Sequence, residues 1–98
     1  MLTTTLSSPE LVQKESLTEY HYPKGEVLLS LEDVNFRKVI LERATTLGNA
    51  YHSKVRIDFE TTNGIKEVET TIWATTEKYV LLKGGITIPI HCILNVRM

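Results

Sequence analysis

The spacing of hydrophobic residues changes near residue 50, and this change divides the chain into a helical part and a β-rich part. Over residues 32–47 the apolar side chains recur at the three- and four-residue steps of one helical stripe. The stripe consists of Phe36, Val39, Ile40, Ala44 and Leu47. Ser30 is suited to cap the start of this helix, and Gly48 to follow its end. From residue 54 onward apolar and polar residues alternate, as in a strand with one buried face.

Five short antiparallel strands are predicted between residue 54 and the end of the chain. They cover residues 54–60, 67–75 and 78–82, and two segments within 86–98. The pairs Asn63-Gly64 and Gly84-Gly85 favour tight reversals, and Pro89 separates the last two strands. The pattern therefore predicts an α+β domain, with one N-terminal helix packed on a small five-stranded antiparallel barrel. Trp73 is either turned inward by a bulge in the second strand or lies on the outer face under the helix, and the large apolar area of its side chain favours the position under the helix. The residues expected to face inward are Val55, Ile57, Phe59, Val68, Ile72, Val80, Leu82, Ile88, Ile93 and Val96.

Residues 1–25 are interpreted as an extended arm that precedes a single domain of residues 26–98. Ser8 is suited to cap a short helix near the start of this arm. Tyr20 and Tyr22 either pin the arm onto the domain or form an aromatic recognition platform, and the large area that aromatic rings bury favours pinning. An alternating segment then forms either an edge strand or an extended lead into the helix; its apolar residues are Val27, Leu29 and Leu31.

Composition argues against a strongly charged partner. The 98 residues suit one domain, and eleven basic against twelve acidic side chains give a net charge of −1. A strong nucleic-acid binder gains most of its affinity by neutralising phosphates, so this balance disfavours one. Cys92 is the only cysteine, which excludes an intrachain disulfide. With no signal-peptide pattern and no apolar run near the ~20 residues of a membrane span, a cytoplasmic location is expected.

No residue pattern indicates catalysis. His91 and Cys92 are adjacent, and neighbours on a strand point to opposite faces, so they cannot pair as base and nucleophile. The spacing of His21, His52 and His91 matches no metal-binding pattern. No glycine-rich phosphate loop is present either. We therefore expect no enzyme activity, catalytic residue, metal, cofactor or small-molecule substrate.

Two adjoining segments resemble a known group of proteins. They are residues 73–85 (WATTEKYVLLKGG) and residues 86–96 (ITIPIHCILNV). Together they resemble a family of small uncharacterised bacterial proteins with no assigned activity, and the resemblance extends over residues 17–98. The order of one helix and five short strands also resembles the Sm-like barrel of RNA-binding rings, a relative of SH3-like barrels. Sm-like proteins carry an Asp and an Asn near the turn between strands two and three, whereas residues 75–78 here include neither.

Two functions are compatible with the sequence. The first is a non-catalytic protein-interaction or self-assembling module that pairs through the edges of its final strands, with a protein partner or a second copy of itself. The interface residues predicted for it are Ile86, Ile88, Ile90, Leu94 and Val96. The alternative is an Sm-like, RNA-associated protein that binds RNA weakly through residues at loop ends. The RNA-contacting residues predicted for it are Lys78, Lys83, His91 and Arg97.

Overall fold

The computed structural model describes residues 9–98 and has one long helix and two β-sheets, which confirms the α+β class. The long helix, α1, is Leu31–Tyr51. The strands are β1 Glu10–Leu11, β2 Val55–Thr61, β3 Gly64–Thr70, β4 Ile72–Thr75, β5 Tyr79–Leu82, β6 Ile86–Pro89 and β7 Ile93–Arg97. Two 3-10 helices span Lys14–Glu19 and Ile90–Cys92. The helix cap predicted at Ser8 lies outside the described residues, but the short helix expected to follow it is not formed, because Glu10–Leu11 is a strand that pairs with β3. Within 9–98 no helix is long and apolar enough to cross a membrane.

Backbone hydrogen bonds divide the strands between the two sheets rather than joining them into one closed sheet. One sheet has the order β1-β3-β2-β7, in which β1 runs parallel to β3 and the other pairs are antiparallel. The other sheet has the antiparallel order β4-β5-β6. The second predicted strand, residues 67–75, is therefore two strands that are separated only at Thr71. At the β2–β3 turn Gly64 has φ +105°, which glycine adopts readily. Gly64 already pairs with Thr61 and Asn63 has no positive φ, so the reversal lies at Thr62-Asn63, one residue before the predicted Asn63-Gly64.

All ten residues predicted to face inward are buried, none of them more than 4% exposed. Both sheets contribute these side chains to a single hydrophobic cluster. Leu41 and Ala44 enter it from α1 and Leu17 from the arm, and Cys92 is also buried. The alternation of apolar residues along the strands was therefore sufficient to identify the core of the β-rich part.

Trp73 is 42% exposed, and the register between β4 and β5 shifts between Ile72 and Ala74. The bulge does not turn the indole into the core, so the expected outer-face position is correct. The expected cover is not complete, because α1 leaves much of this side chain open to solvent.

The helix begins as predicted but ends later. The Asp33 N–H donates to Ser30 Oγ at 3.0 Å, which caps the first turn. Gly48 was expected beyond the helix, yet α1 continues through it to Tyr51, and His52 takes the left-handed cap with φ 56°. A Cβ on Gly48 would overlap the carbonyl oxygen of Ile72. Glycine at this position therefore allows α1 to lie close against β4.

The face of α1 that packs on the sheets differs from the predicted stripe. The buried residues of the helix are Arg37, Leu41, Ala44 and Gly48. Phe36 and Val39, at the centre of the predicted stripe, are 61% and 53% exposed. The prediction was wrong for these two because α1 is rotated so that its small residues and Arg37 face the strands. Thr45 fixes this rotation further, with its Oγ1 2.7 Å from Oγ1 of Thr75 on β4.

The described part of the arm packs along the domain. Tyr22 lies against Phe59 with ring centroids 6.2 Å apart, and burial raises the pKa of Tyr22 to about 12. The ammonium group of Lys66 lies 5.6 Å from the centroid of the Tyr20 ring. The prediction that the two tyrosines pin the arm is confirmed. The following segment contains no strand and is an extended lead into α1, in which Leu29 is fully exposed.

Candidate interaction surface

The rotation of α1 leaves an apolar pair on its outer side, with a charge at each end. We call the residues Glu32, Phe36, Val39 and Arg43 the helix face. They lie four, three and four residues apart, so they follow one another along one side of the helix, and all four are exposed. Among residues 9–98 neither Glu32 nor Arg43 takes part in an ion pair. Exposed aromatic and aliphatic groups at neighbouring positions of one helix side are typical of an interaction surface.

A groove between α1 and β7 adjoins the helix face. We call it the α1–β7 groove; its volume is about 240 Å³, and its apolar lining includes Leu28, Phe36, Ile40 and Leu94. Phe36 belongs to both features, and so joins the helix face and the groove into one surface. Leu28 and Leu94 come from the lead into the helix and from the last strand, so three separate segments of the chain build this surface.

Arg37 ties these three segments together beneath the groove. Its Nη1 donates to Glu26 Oε2 at 2.7 Å and to the carbonyl oxygen of Ile93 at 2.9 Å, and its Nη2 donates to Glu26 Oε1 at 2.5 Å. The bidentate contact holds the pKa of Glu26 below its usual range. Arg37 Nε is buried and has no partner among the described residues. Since this atom is not accessible, it does not offer a ligand-binding group to the groove.

The outer edge of β7 is partly occupied within the chain. The guanidinium group of Arg37 takes the carbonyl oxygen of Ile93, and the Val96 N–H donates to Oδ1 of Asn95 at 2.9 Å. The 3-10 helix Lys14–Glu19 packs against β6. Both strands expected to offer edges for pairing therefore have neighbours from their own chain.

The predicted interface residues fall into two groups. Ile88 and Val96 are 0% and 4% exposed, so both belong to the core and offer almost no area to a partner. This part of the prediction was wrong because in each strand these side chains point inward. Ile86, Ile90 and Leu94 are half-buried, and the first two pack against the core cluster. Of the five, Leu94 and Val96 line the α1–β7 groove, Val96 only through the small part of it that is exposed.

The structure does not bring the predicted RNA-contacting residues together. Arg97 binds Asp58 at 2.9 Å and also contacts the carboxylate of Glu67. His91 Nε2 lies 2.7 Å from the carbonyl oxygen of Pro23. The two remaining predicted residues are exposed lysines at opposite ends of β5, and so do not form a common patch; they are Lys78 and Lys83.

The environment of Cys92 is that of a buried, protonated thiol. Its Sγ lies 3.6 Å from the carbonyl oxygen of Pro23, and burial, followed by the negative charges of Glu60 and Glu26, raises the pKa of Cys92 to about 11. Thiol nucleophiles instead need a lowered pKa and access to solvent. Over residues 9–98 no three His, Cys, Asp or Glu side chains are grouped so that they could hold a metal ion.

A larger groove of about 600 Å³ lies between α1 and the β4–β5 turn. Its lining mixes the positive side chain of Lys38 with the carboxylates of Glu42 and Glu77. Because opposite charges are interspersed, this groove does not favour a ligand of either sign.

Comparisons with known proteins supply no relative, since no protein-family model, curated protein or solved structure matches the chain. The surface formed by the helix face and the α1–β7 groove is therefore interpreted from its own geometry. Sequence reasoning missed it because Phe36 and Val39 were assigned to the core. The available signal was the small size of Ala44 and Gly48, which suits close packing on a neighbouring strand better than the larger stripe residues do.

Proposed function

We propose that this protein is a non-catalytic interaction module that self-associates through the helix face and the α1–β7 groove. The observation that carries the proposal is the exposure of Phe36 and Val39, 61% and 53%, beside a groove. The lining of this groove is mixed, since Asp33, Arg37 and Asn95 accompany its apolar side chains. Fully burying a side chain of this size stabilises a complex by roughly 1.5–3 kcal/mol, so covering two that are half exposed on each copy contributes a few kcal/mol. For the four side chains of a dimer this amounts to about 3–6 kcal/mol before the entropic cost of association, so the dissociation constant should lie between roughly 40 μM and several millimolar at best.

The surface proposed here lies beside the final strands rather than on their edges. Leu94 on β7 remains part of it, whereas the partly occupied backbone edge of β7 disfavours strand pairing as the main contact. A helix-based contact needs no free backbone groups, because its apolar side chains supply the contact area.

We further propose that the two sheets form a small barrel of the Sm-like or SH3-like kind, in a cytoplasmic protein. Three features support this barrel: β3 and β4 follow each other with only Thr71 between them, β7 pairs with β2, and a 3-10 helix precedes β7. The single core shared by both sheets also supports it. The lone, buried thiol of Cys92 is consistent with a reducing compartment.

The RNA-associated alternative has weaker support. Arg97 and His91 are engaged within the chain, and the net charge is −1. A gel-shift titration with mixed-sequence RNA at two salt concentrations distinguishes the two functions. Salt-sensitive retardation at micromolar protein would favour the RNA-associated protein over the interaction module.

Sedimentation velocity of the full chain from about 10 μM to 1 mM, a range set by the affinity expected above, tests self-association. We expect the average mass to rise above the 11.2 kDa of one chain, and Phe36→Ser to keep it at that value. Ile65→Ser is the matched control, because Ile65 is also exposed, at 46%, but lies on β3. A wild-type chain that stays monomeric throughout, or a Phe36→Ser variant that associates as the wild type does, would overturn the proposal.

A further inference from the structure

The helix face carries charges whose arrangement specifies how two copies would meet. Glu32 and Arg43 lie at opposite ends of the face, with Phe36 and Val39 between them. The two charged residues are eleven positions apart, about 16 Å along the helix, so they cannot pair with each other within one chain. A partner of opposite charge for either residue must therefore come from outside its own helix face.

We infer that the partner of this face is a second copy of the same chain, bound with its α1 antiparallel and related by a two-fold axis. This inference rests on the self-association proposed above. If the axis passes midway between Phe36 and Val39, Phe36 of one copy lies against Val39 of the other. The same axis places Glu32 opposite Arg43, because both are equally far from the midpoint. The face is thus complementary to itself, as an isologous contact requires.

A parallel arrangement does not have this property. It would place Glu32 opposite Glu32 and Arg43 opposite Arg43, and like charges in contact are unfavourable. Antiparallel packing instead forms two ion pairs of opposite sign at the ends of the apolar contact.

Charge reversal at both ends of the face tests this geometry. In Arg43→Glu alone and in Glu32→Arg alone, each dimer would contain two contacts between like charges. We expect each variant by itself to associate at least tenfold more weakly than the wild type. An equimolar mixture of the two variants restores opposite charges at both contacts, so we expect a heterodimer with near wild-type affinity. The double variant Glu32→Arg/Arg43→Glu should also recover, because both charges of every pair are exchanged.

Lys38→Glu is the control, since it makes the same change of charge at an exposed residue of α1 outside the helix face. Sedimentation measures the association of the single variants, their mixture and the double variant, and circular dichroism verifies that each is folded. If Phe36→Ser abolishes association but the mixture does not recover it, the antiparallel arrangement is wrong and the proposed function stands. If the wild-type chain is monomeric, both fail. Loss of association in Lys38→Glu as well would attribute the effect to net charge and would also contradict the arrangement.

Discussion

Replacing Gly48 by alanine should destabilise the protein, although the same change stabilises most helices. Glycine inside a helix costs roughly 0.5–1 kcal/mol relative to alanine, so the change alone would raise stability by that amount. Here the new Cβ would overlap the carbonyl oxygen of Ile72 and lie 3.2 Å from Cγ2 of Thr71. The first of these is backbone within β4 and cannot rotate away, so α1 must shift from the sheet.

The magnitude follows from the two opposing effects. Overpacking of a well-packed contact costs about 1–3 kcal/mol, and the upper part of that range applies because the obstructing atom belongs to the backbone. After subtraction of the gain in helix propensity, we expect Gly48→Ala to lose about 2 kcal/mol of unfolding free energy. For a domain of this size, such a loss lowers the melting temperature by roughly 10 °C.

Urea denaturation followed by circular dichroism measures the effect, with two controls. Gly25→Ala adds a methyl group where no atom lies within 4 Å, so its stability should be unchanged or slightly higher. Asn49→Ala, at the exposed next position of α1, reports the gain in propensity without the collision. A Gly48→Ala variant as stable as Asn49→Ala would refute the close approach of α1 and β4.

Two further predictions concern the ion pair between Arg37 and Glu26 and the thiol of Cys92. Glu26→Gln should lose about 1–3 kcal/mol at neutral pH, because Arg37 remains buried without its charged partner while partial exposure of Glu26 moderates the loss. The pKa of Glu26 is lower in the folded state than its usual value of 4.5, so the ion pair contributes fully to stability above pH 4.5. The contribution disappears as the pH falls through the folded-state pKa, and the unfolding free energies of wild type and variant should therefore converge in acid. If the two proteins differed in stability by the same amount at all pH values, this explanation would be wrong. Glu26→Gln/Arg37→Met should recover only part of the loss, because it removes the unpaired charge but leaves the carbonyl oxygen of Ile93 without its donor. At pH 8, Cys92 in the native protein should react with a thiol reagent at least about 100-fold more slowly than in urea. The reason is that a pKa near 11 rather than 9.0 reduces the fraction of thiolate by that factor. Equal reaction rates in the two conditions would show that the thiol is accessible.

The β-rich part could be predicted from the sequence because its signals are local. A two-residue period determines which side chains face inward, and glycine pairs mark the reversals. Ser30 is also a local signal, because it caps the N–H of Asp33, only three residues later, at the start of α1. The division into two sheets at Thr71 was not predicted, since the alternation continues across it and only the pairing partners change.

The rotation of α1 could not be predicted because it depends on contacts distant in sequence. Arg37 reads as a surface residue, yet its guanidinium group binds Glu26, eleven residues earlier, and the carbonyl oxygen of Ile93, 56 residues later. Burial of a charge is unfavourable unless such partners exist, and the hydrophobic pattern contains no information about them. The hydrophobic pattern therefore indicated Phe36 and Val39 as core residues more strongly than it indicated the residues of α1 that are in fact buried.

The contacts that rotate α1 also separate stability from association. Because Arg37, Ala44 and Gly48 hold the helix to the sheets, the domain does not need Phe36 or Val39 for its core. Exposed substitutions away from structural features usually change stability by no more than about 0.5 kcal/mol, so Phe36→Ser should unfold at nearly the same urea concentration as the wild type. Since folding does not require Phe36, this side chain is free to serve the self-association proposed above. Phe36→Ser and Gly48→Ala should therefore have opposite profiles, the first losing association at constant stability and the second losing stability first.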